Sequence, residues 1–281
     1  MPRGSFDDVA KDFLALVRVG RDRPGPAHLA KLARAFGRLP YENLTKIIRA
    51  HEHADPEGRM RMPDIVLGDH LDLGAGGTCF SLTYFFEQVL SYAGYDVHPV
   101  FCDRSYGPDT HCALVATLET GRYLVDPGFL LDAPLPIPTE GESVQQTSTS
   151  VTRLVRLGRS SQLLLFTERG GVPKLRYRLR DVPVAPPIFR RRWIDSFDWA
   201  MMRHMCASRL TEAGQLYLRD GVMRGIRRDG QRQERVRAKL SEVVAGSFGV
   251  DPRLVDAARD YISKDAAAFR LKREVNLWTP M

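Results

Sequence analysis

The hydrophobic period of the chain changes once, near residue 95, and this limits the fold more than any other feature. Upstream of the change, Leu82, Phe85, Phe86, Val89 and Leu90 recur at i, i+3, i+4, i+7 and i+8, the stripe of a helix with one buried face. That run starts at Cys79, directly behind a glycine pair, and stops at Gly94, a good residue just past a helix end. Downstream, "YDVHPVFC" (Tyr95–Cys102), "HCALVATL" (His111–Leu118) and "RYLVD" (Arg122–Asp126) read as strands, the last two joined by "ETG". Further strands are expected at "VTRLVRLG" (Val151–Gly158), "QLLLFTER" (Gln162–Arg169) and "PKLRYRLR" (Pro173–Arg180). Short strands with frequent turn signals predict a small antiparallel sheet or barrel. The chain is therefore α+β, with helices before the sheet and a mixed region after it.

Three domains follow from the pattern: 1–95 helical, 96–187 strand-rich and 188–281 mixed. In the first, Ser5 and Asp8 form a capping box ahead of Val9, Phe13, Leu14 and Val17, and "GRDRPGP" separates this helix from a second at His28–Phe36. Within the second, the Pro-rich and then polar stretch Ala133–Ser150 is expected as a mobile loop. The third carries a helix near Ile194–Arg203, hairpin pieces near Gln215–Arg227 and a closing helix near Arg253–Arg270.

Composition excludes several functions. No window approaches the roughly 18 uncharged apolar residues of a membrane span, and Asp7, Asp8, Lys11 and Asp12 interrupt any signal-peptide core. The four cysteines form no CxxC pair, so reduced thiols and a cytoplasmic location are expected. The net charge of +7 gathers in "FRRRW" (Phe189–Trp193) and in Met223–Lys239. No zinc-finger, helix-turn-helix or aromatic RNA-binding pattern accompanies it, so no nucleic-acid partner is expected. Solvated surface, a phosphate pocket or a docking face for an acidic partner all fit such runs.

Cys79 sits where unpaired N–H groups and the positive helix end favour a thiolate. A buried cysteine acting as a small hydrophobe is the plain alternative. A nucleophilic thiolate needs a base, and the base needs an orienting partner. Of seven histidines, His51 and His53 fall in a charged segment without a third metal ligand, whereas His111 opens a strand behind "SYGPDT". Asp126 ends the next strand, so the "ETG" hairpin brings His111 and Asp126 together. Cys102 and Cys112 raise a metal site as an alternative. Adjacent strand residues point to opposite faces, so His111 and Cys112 are not expected to converge on one ion, and no metal is expected.

The ordered motifs resemble the arylamine N-acetyltransferase family. "LPYENL" (Leu39–Leu44) resembles its V-P-F-E-N-L, "GGTCF" (Gly76–Phe80) its R-G-G-x-C-F, "PDTHCALV" (Pro108–Val115) its P-x-T-H-x-x-L-x-V and "YLVDPGF" (Tyr123–Phe129) its W/Y-L-V-D-V-G-F. The resemblance implies a helical bundle, a central antiparallel β-barrel and a C-terminal α/β lid. It implies Cys79 as nucleophile, His111 as base and Asp126 as its orienter, with Tyr41, Thr110 and Phe129 at the substrate. The implied chemistry is ping-pong transfer of an acyl group, by default acetyl from acetyl-CoA, to an arylamine, hydrazine or other amine. No permanently bound cofactor is implied. A close variant is an amide synthase fed by an acyl carrier protein, and the same three residues also serve hydrolases.

Five positions depart from the family pattern. Ala75 replaces the arginine before the glycine pair, Ser81 the acidic residue after the cysteine, and Thr83 an asparagine. Glu42 is kept and so needs another cationic partner. "VDVGFG" has become "VDPGFL", placing Leu130 where glycine is usual.

Overall fold

The computed structural model describes the backbone of residues 6–277 and the side chains of residues 6–265. Ser5, expected to cap the first helix, lies outside the described residues.

The first part of the chain folds as α1 (Phe6–Val17), α2 (Pro26–Phe36), β1 (Tyr41–Glu42), α3 (Leu44–Glu52), α4 (Pro56–Arg59), α5 (Pro63–Leu73) and α6 (Cys79–Tyr92). The stripe on α6 meets Phe13, Leu29, Leu32, Phe36 and Val66 in one core. Phe13, Phe36 and Phe85 are in mutual ring contact there, with centroids 5.2–5.3 Å apart, a geometry that adds to the area buried. Gly94 ends α6 in the left-handed region at φ +89, and the chain turns into the sheet.

The second part supplies β2 (Asp96–Arg104), β3 (Gly107–Leu118), β4 (Gly121–Val125), β5 (Leu135–Pro136), β6 (Glu142–Gln146), β7 (Val151–Arg156), β8 (Gln162–Arg169) and β9 (Val172–Arg180). They form an antiparallel sheet in the order β5-β4-β3-β2-β9-β8-β7-β6. The outer strands approach each other, with the Ser143 hydroxyl donating to the Pro136 carbonyl, so the sheet curls into a nearly closed barrel. Period-two alternation divides β3. Ala113 and Val115 face the barrel interior with Val100, Leu165 and Tyr177, while Leu114 and Ala116 pack on the helices. The stretch 133–150 departs from the expected loop, because it contributes β5 and β6 to the barrel edge. Leu135 is anchored in the interior, and Glu142–Gln146 pairs residue for residue with β7, so backbone pairing outweighs its polar composition.

The third part contains α7 (Pro186–Asp195), β10 (Cys206–Thr211), β11 (Gly214–Arg219), β12 (Val222–Ile226), β13 (Gln231–Arg235), α8 (Leu240–Phe248) and α9 (Pro252–Leu277). The helix expected over 194–203 instead starts at the proline pair and ends at Asp195, followed by 3-10 turns at Ser196–Asp198 and Ala200–Arg203. Phe189 and Trp193, at i and i+4, are its buried face, and the Ser196 hydroxyl donates to the Trp193 carbonyl at its end. The arginines of "FRRRW" turn outward to Glu57, to Asp195 and to the Pro108 carbonyl. The sheet order is β1-β10-β11-β12-β13, so the "YE" of the first part is the edge strand of the last sheet. No helix among the described residues is long and apolar enough to cross a membrane.

Candidate active site

Cys79 occupies the first turn of α6, behind Thr78, which stands in extended conformation and places no side-chain cap on the helix. The loop before it is pinned by its own backbone. Gly77 accepts from the Glu42 amide at 3.0 Å and donates to the Pro40 carbonyl at 3.2 Å. A side-chain carbon at Gly76 would collide with that same Pro40 carbonyl, so only glycine lets the two segments approach. Gly128 does the same from the other side, since a Cβ there would lie 2.7 Å from that of Cys79.

His111 and Asp126 come together through the β3–β4 hairpin. Leu114 opposes Val125, which places Asp126 diagonally across from His111 on the same face. Asp126 Oδ2 lies 2.7 Å from His111 Nε2 and accepts from the Tyr177 hydroxyl at 2.7 Å, while Oδ1 accepts from the Phe129 amide at 2.8 Å. Both residues are buried. With Nε2 turned to Asp126, Nδ1 is the ring nitrogen left for Cys79, with which His111 is in hydrogen-bond contact.

Burial opposes a charge on His111 most strongly, but Asp126 and Cys79 together outweigh it and raise its pKa to about 9. Cys79 is held well below the usual thiol range. A hydrogen bond from Cys112 is the largest cause, burial opposes it, and His111 and then Lys46 add to it. Cys112 itself is pushed well above the usual range, by burial first and by Cys79 second, so it stays the protonated thiol of the two. His111 and Cys112 point to opposite sides of β3, and the first turn of α6 lies against the strand so that the Cys79 sulfur reaches both. Thr83, one turn along α6 from Cys79, bonds the Cys112 sulfur at 3.5 Å and its carbonyl at 3.4 Å. Lys46, whose pKa burial lowers to about 8, lies near the rings of Phe197 and Trp199 and bonds the Ser196 hydroxyl.

The structure also supplies the partner that Glu42 needs. Arg61, from the turn between α4 and α5, lies 3.5 Å from Glu42, donates to the Gly76 carbonyl at 2.6 Å and to the Thr45 hydroxyl at 2.7 Å, and pairs with Asp69. A guanidinium from elsewhere in the chain therefore ties "PYEN" to the loop before Cys79. Ser81 instead donates to the Thr78 carbonyl at 3.1 Å.

Cys79 and His111 open onto a cavity of about 600 Å3. Tyr41 and Phe129, both expected at the substrate, line it together with Tyr106 and Tyr217. Thr110 does not. Its hydroxyl donates to the Gly107 carbonyl at 2.7 Å and accepts from the Arg104 amide, so it holds the β2–β3 turn. Tyr177, Arg61 and Lys46 were not singled out by sequence, because each reaches the site from a segment without a motif, whereas Cys112 lies in the His111 motif and was weighed there only as a metal ligand. Among the described residues no cluster of three or more potential ligands could hold a metal ion.

An α+β fold in which a helix-end cysteine meets a barrel histidine and aspartate defines a cysteine-centred class with a cysteine-protease-like fold. A family model described as N-acetyltransferase matches residues 27–253, and the chain belongs to the arylamine N-acetyltransferase family of acetyltransferase enzymes. It is 30% identical over 149 residues, half of this chain and 56% of the relative, to the uncharacterized acetyltransferase YvcN of Bacillus subtilis (strain 168). That match spans only a little over half of the relative's length. Among solved structures it is similar to the arylamine N-acetyltransferase of Mycobacterium abscessus, with a TM-score of 0.78 and 19% identity over 94% of this chain and 99% of that one. It is likewise similar to the Salmonella typhimurium arylamine N-acetyltransferase (TM-score 0.74, 20% identity, 91% and 98% covered). The Mycobacterium marinum enzyme in complex with CoA matches with a TM-score of 0.74 and 21% identity, again over 91% and 98%.

Proposed function

We propose that the chain transfers an acetyl group from acetyl-CoA to an aromatic amine or hydrazine through a thioester on Cys79. The observation that carries this reading is a thiol held below its usual pKa beside a buried His111–Asp126 pair, at the wall of a cavity with aromatic and cationic lining. The thiolate attacks the thioester carbonyl, and the backbone N–H groups at the start of α6 receive the developing oxyanion. CoA leaves as the thiol with a proton from His111, and the amine then attacks the acetyl-enzyme while His111 takes up its proton. Asp126, held by Tyr177 and the Phe129 amide, keeps the imidazole oriented throughout. The CoA complex of the M. marinum relative favours CoA over a carrier protein as donor, and the outer cations Arg219 and Arg224 suit its phosphates.

The test is intact-protein mass spectrometry after incubation with acetyl-CoA, followed by an aniline or hydrazine. An acetyl adduct on wild type that Cys79→Ala lacks and the amine discharges is the expected result. An equal adduct on Cys79→Ala refutes the thioester, and discharge at one rate with or without amine assigns the site to hydrolysis.

A further inference from the structure

The cavity beside Cys79 is one-sided in charge. Arg104, Arg169, Lys174, Arg176, Arg219 and Arg224 line it, and no carboxylate does. Elsewhere on the same barrel the arginines are matched: Arg122 and Arg156 pair with Asp181, Arg153 with Glu142 and Glu168, and Arg180 with Asp103 and Asp109. Of the cavity arginines, Arg219 lies 3.6 Å from Asp220, whereas Arg104, Arg169 and Arg176 have no carboxylate partner among the described residues. Arg104 lies over the rings of Phe129 and Tyr106, at 5.5 and 5.9 Å from their centroids. Arg169 Nε donates to the Thr149 carbonyl and Arg176 Nε to the Thr167 hydroxyl. All three are half-buried, and they oppose one another: Arg176 is lowered to about 10 by burial first, then by Arg169 and Arg104. Like charges crowded in a cleft with no counter-charge are a receptor for an anion.

Position decides which anion. Phe129 follows Gly128, which packs directly on Cys79, and Arg104 stands over the Phe129 ring, so this cation belongs to the part of the cavity nearest the sulfur. The phosphates of a coenzyme A thioester are separated from its sulfur by the whole pantetheine arm, a chain as long as an extended tetrapeptide. They are held far from the sulfur, whereas Arg104 stands over the residue that follows Gly128. A planar carboxylate one ring away matches the guanidinium fork.

We propose that Arg104, backed by Arg176, receives a carboxylate borne by the organic substrate itself, with the reacting group directed at Cys79. The inference rests on the acyl-transfer reading and names its substrate class. The carboxylate belongs either to the amine, as in an aminobenzoate, or to the far end of the acyl group, as in a dicarboxylic acyl thioester.

Two arms separate these sources. In one, acetyl-enzyme is discharged by 4-aminobenzoate or by the uncharged 4-aminobenzamide. In the other, Cys79 is charged from succinyl-CoA or acetyl-CoA. Wild type should prefer the carboxylate in one arm by roughly ten- to a hundredfold, Arg104→Gln should abolish that preference, and Arg104→Lys should keep part of it. Equal rates in both arms overturn the proposal. So does an Arg104→Gln variant that needs more acetyl-CoA but keeps the preference, since the arginines then serve the donor phosphates. Calorimetric titration with 4-aminobenzoate, 4-aminobenzamide and the two acyl-CoAs repeats the comparison without turnover. A carboxylate preference seen there, in a protein that never takes up acetyl, refutes the acyl-transfer reading while sparing the carboxylate site.

Discussion

Replacing Arg61 by methionine tests whether one displaced guanidinium holds the loop that carries Cys79, the proposed nucleophile. Arg61 and Glu42 are buried, 4% and 0% exposed at their side chains. Losing the cation leaves the Glu42 carboxylate with only the Thr45 amide and hydroxyl, at 3.0 and 2.6 Å. An uncompensated buried charge costs about 3–5 kcal/mol. The Asp69 arm adds little, because that carboxylate is partly solvated. The orphaned Gly76 carbonyl adds about 1 kcal/mol or more. Against a total stability of about 5–15 kcal/mol, the melting temperature should fall by roughly 10 °C in scanning calorimetry. If the cost resides in the stranded charge, adding Glu42→Gln should return about 2 kcal/mol or more of it. A loss below about 1 kcal/mol, or a Glu42→Gln change equally costly in both backgrounds, refutes this reasoning.

Four further outcomes follow from the same geometry. Cys79 is depressed and His111 raised to about 9, so iodoacetamide should alkylate Cys79 rapidly below pH 7, and His111→Ala should move the midpoint upward; a wild-type midpoint at that of free cysteine refutes the pair. Because His111 gains protons on folding, the stability it contributes is full below its ordinary value near 6.5 and is lost as pH rises through about 9, which urea midpoints in wild type and His111→Ala should separate. Cys112→Ala removes the donor that most lowers Cys79, and its alkylation midpoint should rise by about one pH unit, whereas an unchanged midpoint assigns Cys112 to packing alone. Leu130→Gly relieves a left-handed residue at φ +58, worth about 1 kcal/mol, but deletes a buried side chain, 5% accessible, worth about 2 kcal/mol; the net is a loss near 1 kcal/mol by calorimetry, and a gain in stability would show that strain dominates.

The sequence carries the fold where chemistry is periodic. The α6 stripe, the β3–β4 hairpin and the glycine pair are local patterns, and they determine where Cys79, His111 and Asp126 stand. It was silent where partners meet across long separations. Tyr177 reaches Asp126 from 51 positions away, on a strand whose pattern says only that Tyr177 is buried. Stretch 133–150 looked like a loop because its strands are held by backbone pairing, which leaves no periodic signature in short polar segments. Thr110 belonged to a motif and was therefore expected at substrate, yet its hydroxyl is used inside its own turn.

The relocation of the guanidinium explains why the site could be read while its surroundings could not. A carboxylate at residue 42 demands a cation at a point in space, and either of two backbone positions can place one there. In this chain Ala75 is fully buried and Arg61 reaches the Gly76 carbonyl beside it, so the demand is met from the turn before α5 rather than from the glycine loop. The proposed nucleophile has no such freedom. A thiolate must sit at a helix start, within reach of an imidazole whose other nitrogen faces a carboxylate, and among the described residues Cys79, His111 and Asp126 meet that geometry. Divergence can therefore move Arg61 and install Leu130 at the cavity wall while leaving Cys79, His111 and Asp126 in place.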